Sequence, residues 1–315
     1  MARMGKLDAM TRVVAIGGGH GLGRVVSALS ELQSRLSAIV ATTDNGGSTG
    51  KLRAADACIA WGDLRNCLSQ LSEHPSINTI LFEYRFTIAN ELHGHSLGNL
   101  MLYALDQLSV RPLETVRIIS KMLDVTVELL PMAEQACHLT AIDSQGRRAF
   151  GEVAVDEMTS LPKQLALTPP TNATPEVVTR LQQAELILLG PGSFFTSLVP
   201  PLLLTEVANT IALSPATLVF IDNLQPEHTQ VDKLSTAQKV DFIEHLLNGR
   251  PIDKILCHGT QAMASQPEFC QPKPWQPKLC QHEHSRYYYR PLVQSTTDGL
   301  HDRKLLLQAL ESLLE

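Results

Sequence analysis

The chain has 315 residues, 44% hydrophobic and 18% charged, and its 32 acidic against 26 basic residues leave a formal net charge of -6. This composition excludes disorder and fibrous architectures, and the acidic balance argues against nucleic acid as a main partner. No apolar run is long enough to span a bilayer, and residues 1–12 lack the apolar stretch and cleavage site of a secretory signal, so no membrane insertion and a cytoplasmic location are expected.

The length accommodates one α/β domain over residues 1–315, with a core at about 12–258. Residues 12–16 read as a short apolar strand, and residues 22–32 have helical spacing at Leu22, Val25, Val26, Leu29 and Leu32. The β-branched stretch 37–43 completes a βαβ unit whose right-handed crossover puts both strand ends on one crevice. Helices are expected at 63–72, 76–84, 97–108 and 113–123, then strands at 125–130, 138–142 and 150–155, with a turn at Ser144-Gln145-Gly146 between the last two. Four prolines mark 161–175 as a connection, before a helix at 175–183. Strands at 185–189, 217–221 and 253–257 then alternate with a helix opened by Ser193 and another at 236–247. Residues 259–290 are expected to be irregular, and 301–314 a terminal amphipathic helix. The pattern predicts a doubly wound, mostly parallel sheet with helices on both faces and a small antiparallel excursion. The six cysteines, Cys58, Cys67, Cys137, Cys257, Cys270 and Cys280, are scattered as reduced thiols would be.

The segment Gly17-Gly18-Gly19-His20-Gly21-Leu22-Gly23 follows a strand and opens a helix. Small residues let backbone N–H groups approach phosphate oxygens, and the helix N-terminus adds its positive dipole end. A tight turn without a ligand is the alternative, and for His20 ligand contact and local capping are both open. Leu22 stands where the dinucleotide fingerprint needs a glycine, and no Walker ending follows, so neither a nicotinamide dehydrogenase nor a P-loop NTPase is expected.

The second strand runs into Asp44-Asn45-Gly46-Gly47-Ser48-Thr49-Gly50-Lys51-Leu52-Arg53, at the same sheet edge. Asp44 is a candidate for a ribose hydroxyl or for a divalent ion bridging phosphates, and is the first candidate metal ligand. Asn45, Ser48 and Thr49 are candidate contacts, Gly46 and Gly47 permit close approach, and Arg53 is placed to neutralise phosphate charge. A solvated Asn-Gly turn is the alternative. Asp63 is open between capping its helix and touching a ligand or metal; Asp44 and Asp63 are the catalytic candidates, with Asn66 nearby. Near the next helix start, Ser96 has the place of an N-cap and Asn99 is preferred to His95 as a contact. Gly190, Gly192, Ser193 and Thr196 repeat the phosphate-friendly loop in the second half, although a cap by Ser193 would also account for it. Asn223-Leu224-Gln225-Pro226-Glu227-His228-Thr229 follows the strand at 217–221, where Asn223 and its polar neighbours are placed to read a base or a sugar; a solvated loop is the alternative. His93 with His95, and Cys280 with His282 and His284, lack the paired spacing of a structural zinc site.

In this order VVAIGGGHGLG, TTDNGGSTGKLR, WGDLRNCL, HSLGNLML, ILLGPGSFFTSLVP and DNLQPEHT resemble the gluconeogenesis factor family, the YvcK-like branch of the CofD-like superfamily that includes 2-phospho-L-lactate transferase. The family often has two acidic residues where this chain has Asp44-Asn45, a proline where it has Trp61, and Gln-Pro-Gly-Glu-Thr where it has Gln225-Pro226-Glu227-His228-Thr229. The resemblance implies a modified Rossmann-like core, a nucleotide or nucleotide-sugar ligand, UDP-N-acetylglucosamine for this branch, and a role in cell shape during growth on gluconeogenic carbon sources. A binding regulator of envelope metabolism is the leading expectation. The alternatives are a Mg²⁺-dependent phosphotransferase using Asp44, Asp63 and Arg53, and an interaction protein without a ligand; assembly into a homo-oligomer is left open.

Overall fold

This computed structural model describes residues 7, 10, 12–72, 76–87, 91–108, 111–259, 286–293 and 300–314. The strands are β1 (Val13–Gly17), β2 (Leu36–Val40), β3 (Glu128–Pro131), β4 (His138–Asp143), β5 (Arg148–Phe150), β6 (Pro162–Thr168), β7 (Leu186–Leu189), β8 (Thr217–Ile221), β9 (Lys254–His258) and β10 (Tyr287–Arg290). The helices are α1 (Gly19–Ala28), α2 (Gly47–Ala55), α3 (Gly62–Leu71), α4 (Ile77–Glu83), α5 (Leu97–Leu108), α6 (Pro112–Met122), α7 (Glu152–Asp156), α8 (Pro175–Gln182), α9 (Val199–Leu202), α10 (Thr205–Leu213), α11 (Thr236–Leu246) and α12 (Arg303–Leu314).

The main sheet has the order β10-β9-β8-β7-β1-β2-β3 with parallel pairings, and β5-β4-β6 form the antiparallel excursion. β1, β2 and β7 are buried along their whole length, as parallel strands covered on both faces must be. Side-chain alternation then divides the core. Val14, Ile16, Ile39 and Ile187 pack on one side with Phe194, Phe195 and Val207, while Val13, Ala15, Ala38 and Leu188 pack on the other with Leu22, Val25, Leu64 and Leu310. Each large aliphatic side chain buried this way contributes roughly 1.5–3 kcal/mol. The chain leaves β1 toward β2 on one side and returns to β7 on the other, so the strand order reverses between β1 and β7. Crevices for ligands open at such a reversal, at the carboxyl ends of the strands.

The structure corrects several expectations. Residues 161–175 include β6, because Pro162 stands at the first strand position and Pro169 follows the end, on an edge strand where a missing N–H is tolerated. The strand expected at 150–155 ends at Phe150, since Gly151 takes φ 88° and turns the chain into α7. The glycine-rich stretch after Asp44, where no helix was expected, enters one at Gly47. Within the stretch read as irregular, Tyr287–Arg290 add a parallel edge strand beside β9. Cys58, Cys67 and Cys137 are free and buried, and Cys257 is buried. Cys270, Cys280, His282 and His284 lie outside the described residues. No single described helix is long and apolar enough to cross a membrane.

Candidate functional site

The β1–α1 loop and the loop after β7 meet across the reversal. A Cβ at Gly21 would lie 2.4 Å from the Pro191 carbonyl oxygen, and one at Gly18 would lie 3.1 Å from Ser197 Cβ and 2.1 Å from Asp63 Oδ2. The glycines are therefore required by close approach as much as by any ligand. Gly19 also needs its left-handed φ of 55°. Asp63 does not cap its own helix; its carboxylate crosses to accept the Gly19 N–H.

The second loop is held from behind. Asn223 Oδ1 accepts the Gly192 N–H at 2.9 Å, its Nδ2 donates to Gly192 O at 2.9 Å and to Glu227 Oε1 at 2.7 Å, and Glu227 Oε2 accepts the Phe194 N–H at 3.0 Å. Phe194 and Phe195 pack edge-on against Phe242, with centroids 5.8 and 5.5 Å away, which anchors the loop in the core.

Between the loops lies a cleft of about 470 Å³, lined by Gly18, Gly19, His20, Gly21, Asp44, Asp63, Asn66, Glu152, Gly192, Ser193, Ser197 and Asn223, and closed by the 224–226 and 300–301 segments. Asp44 is set by an Asx turn, its Oδ1 accepting the Gly46 N–H at 2.7 Å, and Gly62 leaves the space for its Oδ2. Glu152 lies against Asp44, and its Oε2 is buried without a hydrogen-bond partner. Burial, then the nearby Asp44 and Asp63 charges, push the Glu152 carboxyl up to about 9. Burial, then Asp44, push Asp63 up to about 7. Burial and then Arg65 lower the His20 pKa. Among the described residues no lysine or arginine lines this cleft. An adjoining cavity of about 420 Å³ shares His20, Asn66 and Leu300 with it and adds Arg24 and Arg303.

Ten of the sequence candidates therefore face the cleft: Gly18, Gly19, His20, Gly21, Asp44, Asp63, Asn66, Gly192, Ser193 and Asn223. Others stand behind it. Arg53 donates to the carbonyls of Thr43, Asp44, Cys58 and Cys137, at 2.9, 2.8, 3.2 and 2.5 Å, so its guanidinium clamps the Asp44 turn instead of facing phosphate. Asn45 accepts the Val153 N–H at 3.0 Å and so holds the start of the helix bearing Glu152. Ser48 Oγ is paired with His95 Nδ1 at 2.9 Å, Thr49 is buried against Gly62, and Thr196 is buried near the Asp156 carboxylate. Asn99 is buried in α5, its N–H capped by Ser96 Oγ at 3.2 Å. Gly17, Gly46, Gly47 and Gly190 shape the backbone without lining the cleft. Ser197, at the end of the second glycine loop, also lines the cleft, and Glu152 and His301 are cleft residues that sequence reading passed over. For Glu152 the signal was Gly151, which ends a strand-like run and places an acid in the first turn of a helix.

Arg53→Ala is expected to destabilise the fold by about 2–3 kcal/mol, because it strips partners from several inward carbonyls at once. Urea unfolding measures this, and Arg53→Lys should recover little, since an ammonium cannot span the same oxygens.

The sequence profile of the 2-phospho-L-lactate transferase CofD family matches residues 13–286. A Pasteurella multocida protein, provisionally named a gluconeogenesis factor, is 45% identical over 98% of this chain and 95% of its own length; a Vibrio cholerae protein with the same provisional name is 46% identical over 96% and 97%. The gluconeogenesis factor of Listeria monocytogenes is 34% identical over 81% of this chain and 80% of its own length. A crystal structure of a Bacillus halodurans member of the UPF0052 family superposes with a TM-score of 0.83 at 26% identity, covering 97% of this chain and 99% of that one. The chain belongs to the gluconeogenesis factor (YvcK-like) family, within the CofD-like superfamily.

Proposed function

We propose that the protein is a nucleotide-sugar-binding regulator of cell shape and envelope metabolism, acting in the cytoplasm during growth on gluconeogenic carbon, with UDP-N-acetylglucosamine or a close analogue as ligand. The observation that supports this best is the pair of glycine loops facing each other across one cleft at the β1/β7 reversal. Backbone donors and a helix N-terminus on one wall, with an Asn223-tied loop on the other, suit a diphosphate with a group at each end.

The charge of the cleft adds a condition. Asp44, Asp63 and Glu152 face it with no lysine or arginine among its described lining residues, so a bare diphosphate would meet acidic side chains with no cation between them. Among the described residues no three acidic, histidine or cysteine side chains form a ready metal cage. Mg²⁺ typically takes one or two carboxylates and completes its shell with phosphates and water. Asp44 and Glu152, whose Oε2 is buried and unpaired, would hold the ion, which would neutralise the diphosphate. Calorimetric titration of UDP-N-acetylglucosamine in the presence of MgCl₂ should give saturable heat that Gly18→Val or Gly192→Val abolishes. A wild-type protein that gives no heat overturns the reading.

A second reading, phosphoryl transfer of the 2-phospho-L-lactate type, is favoured by the matching family profile and by the juxtaposed acids Asp63 and Asp44. Incubation with guanylylated lactyl phosphate, a deazaflavin acceptor and Mg²⁺ tests it. Nucleotide release above an Asp44→Ala control would establish turnover, and none would reject it.

A further inference from the structure

We propose that His301 is a ligand-reading residue: the C-terminal segment places it in the cleft as an uncharged acceptor for a hydroxyl or N–H on the base or sugar of the ligand. The proposal rests on the nucleotide-sugar reading of the cleft and names a determinant within it. His301 lies beyond residue 286, where the family profile match ends.

The position is built rather than incidental. Leu306, Leu310 and Leu313 of α12 are buried in the core layer that contains Leu22 and Val25 of α1, so the helix packs on the element that carries the first glycine loop. Asp302 caps that helix, its Oδ1 accepting the N–H groups of Lys304 and Leu305 at 3.0 Å each. The Asp302 N–H donates to Leu292 O at 2.8 Å, and the Leu292 N–H donates to His258 Nδ1 at 3.1 Å, which ties the segment to β9. His301 is thereby held immediately before a capped helix, with Leu300, at the cleft wall.

His301 is 4% exposed, and its buried Nε2 has no hydrogen-bond partner. The ring is hydrogen-bonded to the Asp222 backbone carbonyl, which an imidazole can meet only by donating. Asp222 is itself fixed, its carboxylate taking Lys239 Nζ at 3.0 Å and Thr236 Oγ1 at 2.5 Å. Burial, with His258 and Arg24 adding to it against the opposing pull of Asp222, lowers the ring's pKa to about 4, so the ring is neutral at pH 7. With one nitrogen donating to Asp222, the other offers a lone pair to the cleft. A lone pair repels phosphate oxygen and accepts from O–H or N–H, so His301 belongs to the uncharged part of the ligand. Beside it in the cleft lining, Leu224, Pro226 and Leu300 are apolar, Gln225 is polar and uncharged, and the polar atoms of Asn223 are already engaged with Gly192 and Glu227.

The test titrates UDP-N-acetylglucosamine, UDP and pyrophosphate, each with Mg²⁺, into wild type, His301→Phe and His301→Asn. His301→Phe should weaken UDP-N-acetylglucosamine about ten- to a hundred-fold and leave pyrophosphate unchanged. His301→Asn, whose amide can donate to Asp222 and accept from the ligand, should recover part of the loss. A loss shared by UDP assigns the donor to the base; a loss confined to UDP-N-acetylglucosamine assigns it to the sugar. If His301→Phe binds all three probes as wild type does, or loses pyrophosphate equally, the role of His301 is overturned while the cleft reading stands. A wild type that binds pyrophosphate but neither uridine compound overturns the cleft reading and this proposal together.

Discussion

Without a divalent cation the protein is expected to lose stability as the pH rises from about 5 to 9, and Glu152→Gln is expected to remove much of that loss. The sign follows from the acidic cleft. Glu152 ordinarily titrates at 4.5 and is pushed up to about 9 in the fold, and Asp63 is raised from 3.8 to about 7. Between these values the folded chain keeps protons that the unfolded chain has released, so unfolding becomes easier as pH increases. The stabilisation is fully present below the ordinary carboxylate range and fades as the pH passes 7 and then 9. Mutual coupling and partial exposure reduce the full linkage value, so Glu152→Gln should stabilise the cation-free protein at pH 8 by about 1–3 kcal/mol. This corresponds to a rise of roughly 2–6 °C in Tm. Mg²⁺ should raise the wild-type Tm more at pH 8 than at pH 6, and should raise that of Glu152→Gln less. Thermal melts across this range with and without MgCl₂ measure both effects; a flat profile that is identical in the variant would show that the carboxylates do not repel one another as described.

Gly21→Ala is expected to weaken ligand binding at least a hundred-fold while the chain still folds. Two effects compete at this position. Gly21 lies within α1, where alanine would favour helix by roughly 0.8–1 kcal/mol. Its Cβ, however, would stand 2.4 Å from Pro191 O, 2.7 Å from Pro191 C and 2.9 Å from Gly192 Cα, all backbone of the facing loop. Such overpacking costs about 1–3 kcal/mol, and no side chain is there to swing away, so the clash wins and the two loops separate. The donors on the two walls then no longer converge on one diphosphate. Gly146→Ala is the control: its φ of 80° makes alanine costly, but nothing lies within 4 Å of the added Cβ and the turn is remote from the cleft. It should lower Tm and leave binding unchanged. Calorimetry beside thermal melts separates the two outcomes, and a Gly21→Ala protein that binds like wild type would remove the close approach of the loops from the account.

The parallel core was legible because its strands are short, largely apolar runs at β1, β2 and β7 that lead into glycine or polar residues at one sheet edge. The two loops of the cleft were legible for the same reason. Local pattern misled where a tertiary contact decides. Gly50 looks like loop punctuation, yet a Cβ there would strike Asn45 O at 2.1 Å, so it is a packing requirement inside a helix. Arg53 is a cation two turns from Asp44 in sequence, and nothing local says that its partners are four carbonyls, one of them as distant as Cys137. Glu152 is brought to Asp44 by the antiparallel excursion and by Asn45, a contact across 108 positions that periodicity cannot show. His301 reaches the cleft only because α12 returns to pack on α1.

The most direct test of the central claim, a diphosphate held with a divalent ion between two glycine loops, is a crystal soaked with UDP-N-acetylglucosamine and MnCl₂. The account predicts continuous ligand density with the diphosphate between Gly18–Gly21 and Gly192–Ser193, and an anomalous peak for manganese beside Asp44 and Glu152. Ligand density outside the cleft, or a bound diphosphate with no metal peak beside those carboxylates, would contradict it.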